Sequence, residues 1–300
     1  MAMVQERADK FRGLVERAAK AVEDALEDYL SRDRAVPDTL REAMFYSLRA
    51  GGKRLRPVTA ILACTACGGT EQQALPAAAA LEMIHTYSLI HDDLPAMDND
   101  DMRRGRPTNH LVFGDGIAVL AGDALLTYAF NTLVRYVQPD FLARQLIIEL
   151  SEAAGAAGMI GGQVADLQSH KTAHDLDHVN YIHRHKTALL FRAAARMGAL
   201  CAEAKPGQVE LLGEYGLKLG LAFQITDDLL DVTGSAEEMG KNTQKDAQAG
   251  KLTYPAVAGL EESQQQAQNL IDEATAHLTE FGPHAEPLRR LARMITNRKS

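Results

Sequence analysis

The chain has no tryptophan, and aromatic side chains make up only 5% of its 300 residues. Cysteine is also scarce, because only Cys64, Cys67 and Cys201 are present. So few thiols exclude a disulfide framework, and a single CxxC without a second one does not complete a zinc site. We therefore expect small buried thiols on helices, in a cytoplasmic protein kept in a reducing compartment.

Positive charge and long hydrophobic runs are in short supply as well. The chain has 32 Lys and Arg residues against 40 Asp and Glu residues, with a formal net charge of -8 and a pI of about 5.7. We expect no nucleic-acid partner for such an acidic chain, and any anionic ligand must be held by local cations. No run reaches the roughly 18 apolar residues of a membrane span, and the charged N-terminus lacks a signal core, so we expect no stable membrane insertion.

The chain does contain strong helical periodicity. Apolar side chains recur at three- to four-residue spacing through residues 3–30, and a strongly apolar helix is indicated from Val209 to Val232. Sustained alternation of apolar and polar residues is missing, so a sheet is not expected. With 46% hydrophobic residues, the sequence predicts one all-α domain over residues 1–300, a helical bundle around a central cavity.

The first of two acidic motifs is a DDxxxxD array. Asp92, Asp93 and Asp98 follow a helix that the pattern predicts for residues 72–91. Asp92 and Asp98 are six residues apart, so an unbroken helix would splay them by about 120°. We expect the helix to break at Pro95, which would let Asp98 approach Asp92.

The second acidic motif lies in the apolar stretch LGLAFQITDDLLDV and comprises Asp227, Asp228 and Asp231. A lone DDxxD is usually a solvated helix end, but carboxylates in apolar surroundings are rarely left without a partner. Mg²⁺ binds a few carboxylates and takes its other ligands from water and phosphate oxygens. Two separate carboxylate triads therefore favour a site where Mg²⁺ is shared with a phosphorylated ligand.

Cations occur at two helix junctions. The segment GGKRLRP places Lys53, Arg54 and Arg56 within four residues, either as an ordinary basic loop or as cations that converge on one phosphate. Lys186 and Thr187 precede another apolar run, either as a capped helix start or as a cation and a hydroxyl for a phosphate. The residues alone leave both alternatives open.

Four further polar residues bear on the site. His85 lies seven residues before Asp92 and so on the same helix face, although an isolated histidine is more often structural. Asp123 is interpreted as a hydrogen-bonding residue between packed helices. Gln163 and Asp166 follow a glycine-rich stretch that favours a bend or close helix approach, and they face either solvent or the site.

The combined motifs resemble those of the trans-isoprenyl diphosphate synthases, and among them the bacterial farnesyl diphosphate synthases (geranyltranstransferases). Five segments carry the resemblance: HTYSLIHDDLPAMDNDDMRRGRPT, GGKRLRP, HKTALL, LAFQITDDLLD and GKLTYP. It implies an all-α enzyme, usually a homodimer, that condenses isopentenyl diphosphate with dimethylallyl or geranyl diphosphate. It also implies three Mg²⁺ ions that bind together with the diphosphate.

The resemblance assigns roles residue by residue. The Mg²⁺ ligands would be Asp92, Asp93, Asp98, Asp227 and Asp231. The allylic diphosphate would be held by Arg103, Lys186, Thr187, Gln224 and Lys241. Isopentenyl diphosphate would be held by Lys53, Arg56, His85 and Arg104. The catalytic set, which stabilises the departing diphosphate, would comprise Asp92, Asp93, Asp98, Asp227, Asp228 and Lys186.

Product length is assigned to residues just before the first motif. The family carries a bulky aromatic residue five positions before that motif, where it stops growth at farnesyl, and Tyr87 matches this position. An ideal helix places Tyr87 about 140° from Asp92, so helix geometry alone does not put it in the pocket. Ser88 faces the site more directly, and the two residues together are predicted to form the chain-length floor.

Three other interpretations of the sequence make different predictions. A geranylgeranyl or other longer-chain synthase would share the motifs, and products that lengthen only after Tyr87→Ala would favour farnesyl. A non-catalytic partner subunit of a heteromeric prenyl synthase would be expected to have degraded motifs, whereas both are intact here. A plain helical scaffold predicts that Asp92→Ala and Asp227→Ala change neither activity nor metal binding.

Overall fold

The computed structural model describes residues 2–169, 175–233 and 252–296. Within these ranges the chain is helical apart from loops and one small hairpin, so the predicted all-α class is confirmed. The helices are α1 (Ala2–Ser31), α2 (Asp38–Leu48), α3 (Leu55–Ala66), α4 (Glu71–Asp92), α5 (Asn109–Phe113), α6 (Asp115–Tyr136), α7 (Asp140–Ala154), α8 (Met159–Gln168), α9 (Leu176–Ile182), α10 (Leu189–Cys201), α11 (Pro206–Thr233), α12 (Tyr254–Ala258), α13 (Leu260–Ala276) and α14 (Glu286–Thr296). A π-helical turn (His183–Ala188) joins α9 to α10, and a 3-10 segment (Thr279–Ala285) precedes α14.

Helix α4 lies at the centre of the bundle. Ala77 through Ala80 are all 0% exposed, which requires neighbours on every side of the helix. Helices α3, α6 and α10 pack along α4, and α11 packs against α10 and α13. This arrangement surrounds α4 with other helices up to its C-terminal end, where the first acidic motif begins.

Glycines shape the region after α7 in the two ways that the sequence suggests. The stretch bends between α7 and α8, where a side chain on Gly158 would bring its Cβ 2.2 Å from the Ala153 carbonyl oxygen. Gly162 allows close approach, because a Cβ there would lie 2.2 Å from the backbone nitrogen of Lys186 in the π-helical turn. Helix α8 therefore packs directly against the turn that carries Lys186.

The hairpin is the only β structure among the described residues. Strands β1 (Met102–Arg103) and β2 (Arg106–Pro107) pair antiparallel, and Arg104 (φ 52°) and Gly105 (φ 74°) make the turn. Positive φ at both central residues is typical of a tight hairpin turn. The turn places two consecutive arginines beside the end of α4.

Helix α6 has one buried and one exposed face. It is the one described helix long and apolar enough to cross a membrane, and 39% of its most apolar window is buried. A core helix of a soluble protein can meet the same criteria of length and apolarity. On the exposed face, Val119, Leu120 and Val134 are 39%, 54% and 59% exposed, so this apolar surface has no cover within the described residues.

Candidate active site

The first acidic motif begins where α4 stops. The helix ends at Asp92, and the backbone N–H of Asp98 donates a 2.8 Å hydrogen bond to the carbonyl oxygen of Asp92. Pro95 is exposed in the turn between them. The predicted break is therefore confirmed, and it brings the Asp98 backbone next to Asp92.

The two acidic motifs open onto one cavity of about 680 Å³. Asp92 of α4 and Asp227 of α11 both line it. The other charged or polar residues of the wall are Arg56, His85, Ser88, His91, Arg103, Arg104, Asp123, Gln163, Lys186, Thr187 and Gln224. The apolar residues of the wall are Tyr87, Leu89, Met97, Leu126, Met159, Ile160, Val164, Leu167 and Phe223. The cavity thus combines both signs of charge with an extensive apolar lining.

Burial makes ionisation of Asp92 costly. It raises the pKa of this carboxyl from 3.8 to about 6, with further increases from Asp98 and Asp93, although Lys186 and Arg103 act in the opposite direction. A carboxylate in this environment is stabilised by added positive charge. Asp92 is therefore well suited to a divalent cation.

Mg²⁺ fits this arrangement of oxygen donors. Among the described residues, no three His, Cys, Asp or Glu side chains are close enough to hold an ion by themselves. Mg²⁺ does not require such a cluster, because it usually binds one or two carboxylates and completes its shell with water and phosphate oxygens. Asp92 of α4 and Asp227 of α11, which line the same cavity, can serve in this way.

Asp93 points to a different partner. It is 3% exposed, and its carboxylate accepts a forked pair of hydrogen bonds from Arg103, at 2.8 Å from Nε and 2.6 Å from Nη2. Burial opposes the charge of Arg103, but the bonds to Asp93 outweigh it and raise the pKa of the guanidinium. Asp93 thus orients an arginine of the cavity wall, and its assignment as a metal ligand stays a prediction.

Asp228 lies behind the wall. Its Oδ1 accepts a 3.1 Å hydrogen bond from Gln224 Nε2, and its Oδ2 accepts a 2.8 Å bond from the backbone N–H of Tyr254. His183 Nε2 is 3.2 Å from Oδ2. Gln224 in turn accepts a 2.8 Å hydrogen bond from Thr187 Oγ1. Asp228 therefore supports two polar residues of the cavity wall, and its predicted catalytic role is untested.

The basic residues of the wall are held by their own contacts. Lys186 Nζ is 2.7 Å from Asp166 Oδ2, and Arg104 donates to the Gly51 carbonyl oxygen. Arg56 stacks 4.7 Å above the Phe191 ring. These contacts keep the cations at the cavity.

Burial lowers the pKa values of two residues predicted to bind isopentenyl diphosphate. The pKa of Arg56 falls to about 10, so its side chain remains cationic near neutral pH. The pKa of His85 falls well below 6.5, because it is buried and faces Arg56, Arg104 and other arginines. His85 is therefore a neutral hydrogen-bonding group at neutral pH.

Several predicted residues are not part of the cavity wall. Lys53 is exposed in the loop before α3, and Asp231 lies one turn beyond Asp227 in α11. Arg54 is 4% exposed and pairs with Glu82 of α4, so this middle cation of GGKRLRP has a structural role. Lys241 lies outside the described residues.

Helix geometry alone did not place three residues of the wall. Tyr87 lines the cavity although the helix wheel turned it away from Asp92, because the cavity contacts more than one face of α4. Asp123, expected to bond between packed helices, has a side chain 57% exposed at the cavity. Gln163, left open by the sequence, faces the site.

His91 was not assigned any role from the sequence, yet it lines the cavity. Its position directly before Asp92 was the only available signal. Its contacts with Val119 and Gly122 come from α6, which is distant in the sequence, so periodicity within α4 does not reveal them.

The fold and this cavity define an all-α enzyme that handles an anionic substrate with an apolar portion. The sequence pattern of the Polyprenyl synthetase family matches residues 37–282. The chain belongs to this family and is a prenyltransferase.

Relatives and solved structures extend the comparison over nearly the whole chain. A dimethylallyltranstransferase of Fischerella ambigua (strain UTEX 1903) is 50% identical over 281 residues, which cover 92% of this chain and 80% of the relative. A geranylgeranyl diphosphate synthase of Cyanophora paradoxa is 45% identical over 283 residues and 93% of each chain. The apo crystal structure of an FPP/GFPP synthase from Zymomonas mobilis is 38% identical with a TM-score of 0.85, covering 96% of this chain and 99% of that one. The chain is therefore a prenyl diphosphate synthase by family and fold.

Proposed function

We propose that this enzyme is a Mg²⁺-dependent farnesyl diphosphate synthase. It would condense isopentenyl diphosphate first with dimethylallyl diphosphate and then with geranyl diphosphate, releasing diphosphate each time. The observation that carries the proposal is Tyr87, whose ring is 5% exposed and lines the cavity five residues before Asp92. A large ring in that wall limits the space available to a growing prenyl chain.

Asp92, Asp98 and Asp227, with Asp93 and Asp231, are proposed to hold three Mg²⁺ ions. When bound, the ions would neutralise the charge that develops on the departing diphosphate. Arg103, Lys186, Thr187 and Gln224 would hold the allylic diphosphate, with Lys241 as a further predicted contact.

Lys53, Arg56, His85 and Arg104 are proposed to hold isopentenyl diphosphate. The cationic side chains would bind its phosphate oxygens, and neutral His85 would hydrogen-bond without adding charge. Bound there through its diphosphate, isopentenyl diphosphate would keep its double bond free to attack the allylic cation.

The apolar wall would protect that cation from water. Ionisation of the allylic carbon–oxygen bond produces a carbocation, which water would trap in an open site. Leu126, Met159, Val164 and Phe223 contribute hydrocarbon surface to the cavity. The new carbon–carbon bond would form when the isopentenyl double bond attacks, and transfer of a proton to the departing diphosphate would complete the product.

A geranylgeranyl diphosphate synthase is the second candidate. Several relatives carry that name, including the Cyanophora paradoxa enzyme and a chloroplastic synthase of Catharanthus roseus that is 47% identical over 286 residues. The two candidates share the chemistry and differ in how many condensations occur before release. Product length therefore decides between them.

The test is incubation of the purified protein with isopentenyl diphosphate, dimethylallyl diphosphate and Mg²⁺, followed by chromatographic sizing of the products. We expect C15 as the main product of the wild type, C20 and longer products from Tyr87→Ala, and no turnover in EDTA. C20 as the main wild-type product would establish the second candidate. Lack of turnover with Mg²⁺ would support a non-catalytic partner subunit.

We also propose that the enzyme is a homodimer located in the cytoplasm. The exposed apolar face of α6, defined by Val119, Leu120 and Val134, continues into α5 at Leu111 and Val112, which are 53% and 46% exposed. A second copy of the chain would cover this surface by pairing it with itself. Light scattering should give twice the chain mass of 32.6 kDa, whereas the single mass would contradict the dimer, and fractionation of native cells would test the location.

A further inference from the structure

His91 connects the end of α4 to α6. Its Nε2 is 3.0 Å from the carbonyl oxygen of Val119 in α6. A carbonyl oxygen only accepts hydrogen bonds, so Nε2 must carry the proton and donate it. The His91 ring therefore bridges α4 and α6 immediately before Asp92.

The gap is possible because α6 has a glycine at this point. A Cβ on Gly122 would lie 2.1 Å from His91 Nε2, closer than any side chain permits. The imidazole thus occupies the space that a side chain at position 122 would fill. Gly116, on the same helix, has no heavy atom within 4 Å of the equivalent Cβ position.

The same imidazole packs against Tyr87. The two rings are 5.7 Å apart between centroids, with an interplanar angle of 75°, which is an edge-to-face contact. The Tyr87 hydroxyl is buried and has no hydrogen-bond partner among the described residues. Packing, and not a hydrogen bond, therefore fixes the orientation of the Tyr87 ring, and His91 is part of that packing.

We propose that His91 is a positioning residue for product length: seated against Gly122 and bonded to Val119, it holds the Tyr87 ring across the cavity. The inference rests on the proposed synthase function and extends it from Tyr87 to the residues that fix Tyr87. His91 acts through Tyr87 and takes no part in bond making or breaking.

Two substitutions should shift product length in opposite directions. His91→Ala empties the space between α4 and α6, so the Tyr87 ring can turn into it and the cavity deepens. Gly122→Ala forces the imidazole away from α6, toward Tyr87 and the cavity, so the cavity becomes shallower. His91→Gln keeps an N–H donor for the Val119 carbonyl and should restore part of the wild-type pattern.

The experiment measures the C10, C15 and C20 shares of product from purified wild type and variants at fixed substrate ratio, with thermal melts to confirm folding. We expect the C20 to C15 ratio to rise roughly three- to tenfold in His91→Ala, the size of effect that one aromatic contact supports. His91→Gln should give a smaller rise. Gly122→Ala should raise the C10 share, while the matched control Gly116→Ala should resemble wild type.

Each outcome bears on a separate statement. Wild type that forms no prenyl product would refute the proposed function itself. Active His91→Ala and His91→Gln with the wild-type product pattern would overturn the role of His91, whatever their turnover rates. If His91→Ala does not fold, the product ratio of the milder His91→Gln decides, and an unchanged ratio overturns the proposal.

Discussion

Charged side chains at the cavity are held where burial opposes their charge. Burial raises the pKa of Asp92 to about 6 and lowers that of Arg56 to about 10. Each group therefore favours a bound ion of the opposite sign more than it would on an open surface. The free-energy cost of burying these charges is offset when metal ions and diphosphates bind.

Replacing Asp92 with its neutral isostere should stabilise the metal-free protein. The folded-state pKa of Asp92 is raised, so this residue's contribution to stability is greatest below about pH 4 and is lost as the pH rises through 6. The Asn side chain of Asp92→Asn does not ionise, so the variant does not lose this stability as the pH rises. At pH 7.5 in EDTA we expect it to melt higher than wild type by roughly 2–6 °C, reflecting about 1–2 kcal/mol.

The pH dependence supplies the control for this experiment. The difference in melting temperature between Asp92→Asn and wild type should shrink when the measurement is repeated at pH 4.5. Mg²⁺ with inorganic diphosphate should stabilise wild type more than the variant. A melting-temperature difference that does not change with pH would show that the buried charge of Asp92 does not destabilise the folded protein.

Loss of a single cation should raise the KM of one substrate much more than the KM of the other. Arg56→Ala removes a half-buried cation of the proposed isopentenyl diphosphate site in the first turn of α3, and Lys53→Ala removes an exposed one from the loop before α3. We expect each to raise KM for isopentenyl diphosphate by about tenfold or more, since a charge-assisted phosphate contact is lost, with KM for geranyl diphosphate changed much less. Steady-state kinetics with each substrate varied in turn would check this, and equal losses for both substrates would contradict the assignment.

At the scale of helices, the sequence predicts features that depend on neighbouring residues. Periodicity located α1, α4 and α11, and the six-residue spacing of Asp92 and Asp98 located the break at the end of α4. The contact of His91 with Gly122 was missed, because it depends on how α4 meets α6, which no local pattern encodes. The place of Tyr87 in the wall came from the family resemblance and not from helix periodicity.

The close contact between α8 and the π-helical turn gives a prediction at this scale. Gly162→Ala would place a methyl group 2.2 Å from the backbone nitrogen of Lys186, so α8 or the turn must shift. We expect a loss of stability of about 1–3 kcal/mol from overpacking. The KM for the allylic substrate should also rise, because Lys186 moves with the turn.

Gly207→Ala is the matched control for that substitution. Gly207 lies in the first turn of α11 and has no heavy atom within 4 Å of the added Cβ position. It should leave both melting temperature and KM close to wild type. Equal effects of the two substitutions would show that glycine replacement in a helix, and not the α8 contact, is responsible.

At the scale of the whole molecule, two distant motifs meet at one cavity, as their sequences predict. The chemistry of carboxylates in apolar stretches was sufficient to place Asp92 and Asp227 together. It was not sufficient to orient every carboxylate. Asp93 turns to Arg103 of the hairpin, and Asp228 turns to Gln224 on its own helix and to partners on α12 and the π-helical turn. Apart from Gln224, these partners belong to other elements of the fold.

Calorimetric titration with inorganic diphosphate tests most directly whether the two motifs share metal ions. We predict that Mg²⁺ strengthens diphosphate binding to the wild type by more than tenfold, or about 1.4 kcal/mol. Asp92→Ala and Asp227→Ala should each abolish most of this gain, and the double variant should lose little more, because the two residues act through the same ions. Equal affinity in Mg²⁺ and EDTA, or additive losses in the double variant, would contradict the account.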